Sequence, residues 1–250
     1  MTCEYQVTCG NCEGDERLGF EFTMAFQPIV DVQKQEIFGY EALVRGLNNE
    51  SAYSVISQVN EDNRYLFDQT CRTKAITLAA QLKMQSMLSI NFLPNAVYQP
   101  ERCIRTTLEC AKANDFPIEN IMFEFTEAEK VEDTQHIKRI VQHYQGMGFT
   151  TATDDFGAGY SGLNLLADFQ PDIVKLDMEL IRNIETDHAR QVIVRNCIAM
   201  MTQLNVTVLA EGIETEAELN WIKDAGVKLV QGYYFAKPEL EKLPDVHFSN

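Results

Sequence analysis

Two adjacent acids, Asp154 and Asp155, end a β-type run and lead straight into Phe156-Gly157-Ala158-Gly159. A turn that rich in glycine is neither strand nor helix, so the pair stands at the mouth of the element before it. Neighbouring residues of a strand point to opposite sides. Keeping both carboxylates in one site requires an irregular backbone or a cation that draws them together, because adjacent anions repel unless something compensates them. Other polar residues recur in the same setting: Glu41, Asn91, Glu124, Lys175, Glu211 and Gln231 each lie within or just after an apolar, strand-like run. Buried polar groups are costly unless paired, so packing does not account for so many of them. The carboxylates Glu41, Glu124, Asp154, Asp155 and Glu211 would be balanced by two divalent cations together with Lys175. Ligands of this kind, all oxygen with neither Cys nor His, favour Mg²⁺ or Mn²⁺ over zinc. Two such ions about 3.5–4 Å apart activate water and clamp the attacking and leaving oxygens in phosphodiester hydrolysis.

The elements that must position these residues alternate along the chain. Strand patterns cover Phe22–Val30, Ile37–Arg45, Ser89–Leu93, Ile121–Thr126, Thr150–Asp155, Ile173–Asp177, Val206–Ala210 and Leu229–Phe235. Apolar spacing near 3.6 predicts helices over Leu66–Met84, Val97–Ala113, His136–Met147, Leu180–Leu204 and Glu216–Ala225. Thr215 precedes Glu216 and Glu218 as an N-cap with acids in the first turn, and Gly226 follows as a C-cap. Such alternation is α/β with a mostly parallel sheet. Only Asp31–Glu36 separates the first two strands, too little for a crossover helix, so these two are expected to be antiparallel. The expectation is a TIM-like (β/α)8 barrel with one antiparallel strand near the start, whose site lies at the C-terminal ends of the parallel strands. With no linker, low-complexity segment or repeat, residues 20–250 read as one domain behind a Cys-containing tail over residues 1–19.

Bulk composition narrows the partners. The 250 residues carry 37 acids against 21 bases, a net charge of −16, which argues against a DNA or RNA duplex and against an anionic membrane surface. No apolar run approaches the ~20 residues of a membrane helix, and the first residues, with Glu4, Asp15 and Glu16, do not read as a signal peptide. A cytoplasmic location is expected. Seven cysteines spread through the chain fit reduced thiols better than a disulfide framework. Cys3, Cys9 and Cys12 have metal or redox spacing, but no partner motif appears downstream, and a plain N-terminal tail is the preferred reading.

The same blocks carry a resemblance. Glu41-Ala42-Leu43 within Tyr40–Arg45, preceded by Phe26-Gln27-Pro28-Ile29-Val30, resembles the signature of the EAL-domain cyclic di-GMP phosphodiesterases. Ile90-Asn91, Glu124-Phe125-Thr126-Glu127, Asp154-Asp155-Phe156-Gly157, Lys175-Leu176-Asp177, Ala210-Glu211-Gly212-Ile213-Glu214-Thr215 and Gln231-Gly232-Tyr233 follow in the family's order, so the likeness covers roughly residues 22–240. It implies that Glu41, Asn91, Glu124 and Asp154 hold a first metal, with Asp154 bridging to a second that Asp155 helps hold. By the same resemblance Lys175 orients the attacking water, and Glu211 is general base or second-metal ligand. Gln231 positions water or substrate, Gln27 and Arg45 contact substrate, and Glu127 secures the loop Phe156–Leu163. The implied activity is hydrolysis of cyclic di-GMP to linear pGpG with Mg²⁺ or Mn²⁺, in a homodimer that a regulatory protein partner could address. The alternative is a non-catalytic cyclic di-GMP receptor or scaffold of the same fold. The chain departs from the family pattern at Ala158, where Thr is usual, at Gly162, where Ser is usual, and at Phe92 or Leu93, where a small polar residue is usual.

Overall fold

The computed structural model of the chain describes residues 18–126, 134–158 and 162–248. The tail with Cys3, Cys9 and Cys12, the position of Glu127, and residues 159–161 lie outside the described residues, as do the expectations placed on them. The strands are β1 (Thr23–Asp31), β2 (Glu36–Arg45), β3 (Met87–Asn91), β4 (Ile121–Thr126), β5 (Thr150–Phe156), β6 (Ile173–Leu176), β7 (Thr207–Ala210), β8 (Leu229–Gln231) and β9 (Glu239–Leu240). Hydrogen bonding runs in order from β2 to β8 and on to β1, and β1 pairs again with β2, so eight strands close on themselves while β9 attaches to β1. Pairs from β2 to β8 are parallel, and β1 is antiparallel to both its barrel neighbours. The tight turn after β1 is the cause: Asp31 Oδ1 accepts from the N–H groups of Gln33 and Lys34 at 3.0 and 2.9 Å, reversing the chain at once. The molecule is a TIM-like barrel with one reversed strand.

Helices α1 (Ala52–Ile56), α2 (Arg64–Gln81), α3 (Pro100–Cys103), α4 (Arg105–Ala113), α5 (Thr134–Gly146), α6 (Gly162–Asp168), α7 (Met178–Ile181), α8 (His188–Gln203) and α9 (Glu216–Asp224) join the strands. Two helices expected from periodicity are split. Pro100 opens α3 inside the span expected as one helix, because a residue without an N–H is tolerated only in a first turn. The chain between α7 and α8 turns through Asn183 at φ 54, and Asp187 caps α8 by accepting from Ala189 and Arg190 N–H groups. The last strand stops at Gln231, short of the expected Phe235. Thr215 and Glu218 form a capping box at α9, as the spacing suggested.

The period of two along each strand sorts side chains to the two faces of the wall. Ile29, Met122, Ala152, Ile173, Leu209 and Leu229 form one apolar cluster, each from a different strand, which is the filled barrel interior. Outward residues such as Ile90, Phe123, Val174 and Val208 belong to the two larger clusters shared with the helices. Two residues beyond the interior layer, on the same face, come Glu124 after Met122, Asp154 after Ala152, Lys175 after Ile173, Glu211 after Leu209 and Gln231 after Leu229. On reversed β1 the step runs backwards, from Ile29 to Gln27. The polar layer thus sits directly on an apolar floor.

Candidate metal centre

Lys175 on β6 is completely buried, and its Nζ lies 2.8 Å from Glu211 Oε1, 2.9 Å from both Glu124 Oε2 and Asp154 Oδ1, and 3.5 Å from Glu41 Oε2. Burial pushes the Lys175 ammonium down, but Asp154, Glu124, Glu211 and Glu41 more than offset this, so it stands well above the usual lysine range and is charged. Glu41 is held from two sides: Asn91 Nδ2 donates to Oε1 at 3.0 Å and Gln231 Nε2 to Oε2 at 2.9 Å. Asn91 and Glu124 are direct cross-strand partners of the β3–β4 ladder.

The adjacent acids meet through a backbone irregularity. The β5–β6 register shifts between Thr153 and Phe156, and Asp155 has φ 54, the left-handed region. The break cancels the alternation that would have turned Asp155 away from Asp154. One oxygen each of Asp154, Asp155 and Glu211 fall within 4.8 Å of one another, as do oxygens of Glu41, Glu124 and Asp154. Asp154 belongs to both groups. Glu124 Oε1 is buried without a hydrogen-bond donor, which is costly unless a cation completes it. The all-oxygen donor set and this open acceptor fit divalent cations.

With one ammonium among so many acids, the carboxyls hold protons more tightly than usual. Burial raises Glu124 to about 8, with Lys175 opposing and Glu41 and Asp154 adding to it. Burial, then Asp154 and Asp177, raise Asp155 to about 6. Burial also lifts Glu211 well above the carboxylate range against Lys175, with Asp154 and Glu41 reinforcing it.

A cleft of about 220 Å³ opens above this layer, lined by Gln27, Glu41, Asp155, Glu211 and Gln231 among the expected residues. Leu43, Asp177, Met178, Gly212, Glu214, Gly232 and Tyr233 also line it and were given no role from sequence, although each lies within or next to one of the strand-end blocks. Arg45 is not among the lining residues; it lies beyond Leu43 on β2, with Nη1 donating to Val44 O at 2.7 Å. Glu214 pairs with Arg182 at 2.9 Å, outside the carboxylate groups. Gly232 is required by close approach: a Cβ there would lie 2.0 Å from Ile213 O. Gly232→Ala is expected to destabilise the fold by ~2 kcal/mol or more and to pull Gln231 from Glu41. A melting temperature lowered by about 4–8 °C would register the first effect.

The chain matches the EAL domain over residues 16–238. It is 70% identical, with a TM-score of 0.90, to a standalone versatile EAL protein from Vibrio cholerae O395 in a c-di-GMP bound form, covering 92% of this chain and 98% of that one. A manganese/cy-diGMP complex of Klebsiella pneumoniae BlrP1 gives 33% identity and a TM-score of 0.83 over 89% of this chain and 57% of that one. Among curated relatives, the blue light- and temperature-regulated antirepressor BluF of Escherichia coli K12 is 34% identical over 89% of this chain and 55% of its own length. The probable cyclic di-GMP phosphodiesterase PdeD of the same organism is 26% identical over 87% of this chain and 42% of its own. The chain therefore spans about half the length of these curated relatives. With the closed barrel, the ordered strand-end residues and the match over nearly its whole length, the chain belongs to the EAL domain family.

Proposed function

We propose that this chain is a divalent-metal-dependent phosphodiesterase that hydrolyses cyclic di-GMP to pGpG. The observation that carries the reading is the buried Lys175 ammonium ringed by two carboxylate groups sharing Asp154 at the base of the cleft. The binding of c-di-GMP by the Vibrio cholerae protein, 70% identical, supports the choice of ligand.

Glu41, Asn91, Glu124 and Asp154 would hold one cation, and Asp154, Asp155 and Glu211 a second, with Mg²⁺ or Mn²⁺ suited to the oxygen set. When bound, such ions acidify water and stabilise charge on the leaving oxygen. Lys175, held by Glu124, Asp154 and Glu211 in the metal-free chain, would orient the attacking water and temper its developing charge as cations take over those carboxylates. Glu211, where it is not taken up by the second cation, is the carboxylate placed to accept the proton lost by that water. Attack at phosphorus breaks the P–O3′ bond in line, leaving a 5′-phosphate, and the 3′-oxygen takes a proton from solvent. Gln231 holds Glu41 on one side and faces the cleft on the other. Gln27 and Arg45 would contact the dinucleotide, Arg45 from the rim with the bidentate fork that suits a phosphate. The same reading takes the protein as a cytoplasmic homodimer open to a regulatory partner; among the described residues no helix is long and apolar enough to cross a membrane.

The second reading, a receptor that binds cyclic di-GMP without cleaving it, is favoured by one finding: the relative BluF carries the name antirepressor. Incubation with cyclic di-GMP and Mg²⁺ or Mn²⁺ separates the two. Appearance of pGpG supports the enzyme, whereas binding without product in excess of both ions supports the receptor.

The raised carboxyls set the pH dependence. Glu124 at about 8 and Asp155 at about 6 keep protons that the unfolded chain releases near ~4. Their contribution to the metal-free fold is therefore full at low pH and is lost as pH rises through about 6 and then about 8. Cations need the deprotonated forms, so Mn²⁺ binding at pH 7 is expected to release protons and to weaken on acidification by up to ~10-fold per pH unit for each coupled proton. Calorimetry in buffers of different ionisation enthalpy counts those protons, and zero release would contradict the assignment.

A further inference from the structure

Behind the wall that carries Asn91 and Glu124, on the helix side of the barrel, lies a charge that the chemistry above does not use. Arg72 on α2 is fully buried. Its Nη2 is 2.8 Å from Asp68 Oδ2 one turn earlier, and its Nη1 donates to Tyr144 Oη at 3.0 Å. The guanidinium lies over the rings of Phe123, Phe92 and Tyr144 at 5.1, 5.4 and 5.9 Å. Among the described residues Arg72 Nε has no hydrogen-bond partner. Burial raises the Asp68 carboxyl even though Arg72 and the Leu93 N–H oppose it. A buried pair satisfied this incompletely adds little net stability over apolar side chains of similar volume.

What the pair does supply is direction. Asp68 Oδ1 accepts from Leu93 N at 2.9 Å, and Phe92 N donates to Glu124 O at 2.9 Å. Phe92 follows Asn91 and Phe123 precedes Glu124, so the rings gripped by Arg72 are chain neighbours of two inward-facing site residues. We propose that Arg72 is a positioning residue for the centre: through Asp68, Phe92 and Phe123 it fixes the ends of β3 and β4, and with them Asn91 and Glu124. The proposal rests on the metal reading above.

Mn²⁺ titration by calorimetry on the full metal-free chain, with kcat and KM for cyclic di-GMP alongside, tests it. Arg72→Met is expected to weaken Mn²⁺ binding at least ~10-fold and to lower kcat with KM little changed, measured at a temperature where the variant is folded, since leaving Asp68 buried without its counter-charge also lowers the metal-free melting temperature. Arg72→Lys, which keeps the charge but not the planar fork, should recover only part of the affinity. Adding Asn91→Ala to Arg72→Met should cost less than ~2-fold more, because both changes disable the same ligand. Mn²⁺ affinity equal to wild type in Arg72→Met, or effects that multiply fully in the double variant, overturns the proposal. If Arg72→Met does not fold, Tyr144→Phe removes only the hydroxyl partner and should weaken Mn²⁺ about two- to tenfold; unchanged affinity there also overturns it. Wild-type protein that binds no Mn²⁺ refutes the metal reading itself, an outcome distinct from any specific to the variants.

Discussion

Glu41→Ala is expected to give a folded barrel that has lost hydrolysis of cyclic di-GMP by about a thousandfold or more, the several kcal/mol that a catalytic cation supplies to a transition state. Glu41 lies at the cleft floor, where Asn91 and Gln231 hold it from two sides and Lys175 approaches at 3.5 Å. Its carboxylate belongs to one of the two oxygen groups that fit a cation, and among the described residues only Glu124 and Asp154 share that group with it. The fold should tolerate the loss. In the metal-free chain Glu41 adds negative charge to a cluster already crowded enough to raise Glu124 and Glu211, so removing it relieves repulsion. The expected signature is an unchanged or higher melting temperature without metal, together with loss of the rise that Mn²⁺ gives the wild-type chain. Thermal melts with and without Mn²⁺, run beside product assays, measure both; full turnover by this variant would end the proposed mechanism.

Lys175→Met carries the opposite stability sign. The methionine fills a similar volume but leaves Glu124, Asp154 and Glu211, each within 2.9 Å of the ammonium in the intact chain, without a counter-charge. Removing one side of a buried ion network costs about 3–5 kcal/mol, or roughly 10 °C in melting temperature for a chain of this size. The carboxyls can escape part of that cost by taking up protons. They are already raised in the intact site, so the protonated forms support the fold at low pH and this support disappears as pH climbs through about 6 and about 8. Destabilisation should therefore be small at pH 5 and largest near pH 8.5, and Mn²⁺ should restore part of it by replacing the missing positive charge. Hydrolysis should fall by about 10²–10⁴-fold even with Mn²⁺ at saturation, the usual range for a group that orients and relieves a reacting proton. A loss of stability independent of pH would place the lysine's role elsewhere.

Much of the fold was legible because barrels repeat a simple pattern. Apolar runs of strand length alternating with helical spacing implied the parallel sheet, and the six residues from Asp31 to Glu36 were enough to imply the reversed strand that β1 proves to be. The boundaries that failed did so where local backbone chemistry interrupts periodicity: Pro100 inside an apolar helical stretch, Asn183 and Asp187 between α7 and α8, and Gly232 ending β8 early. The polar residues that gather at the strand ends were legible one by one in the sequence. Which of them would line the cleft was not legible: Asn91, Glu124, Asp154 and Lys175 sit in the layer beneath it, and Arg45 lies beyond Leu43 on β2, because sequence offers no measure of depth or of how far along a strand the cleft extends. Arg72 and Asp68 gave no signal, because a charged pair one helical turn apart reads as a solvated face until tertiary packing buries it.

Residue type and order by themselves determined that the chain forms a barrel, that one strand is reversed, and that acids, an Asn and a Lys gather at one end of it, because the alternation of faces along a strand is a property of the backbone alone. Whether Asp154 and Asp155 could share a site was beyond that rule, which sends adjacent side chains to opposite faces. Only the tertiary structure decided it: the β5–β6 register breaks, Asp155 turns into the left-handed region, and both acids come to face Glu211 across the mouth of the barrel. A register break depends on where neighbouring strands pair, and that pairing exists only once the barrel has closed.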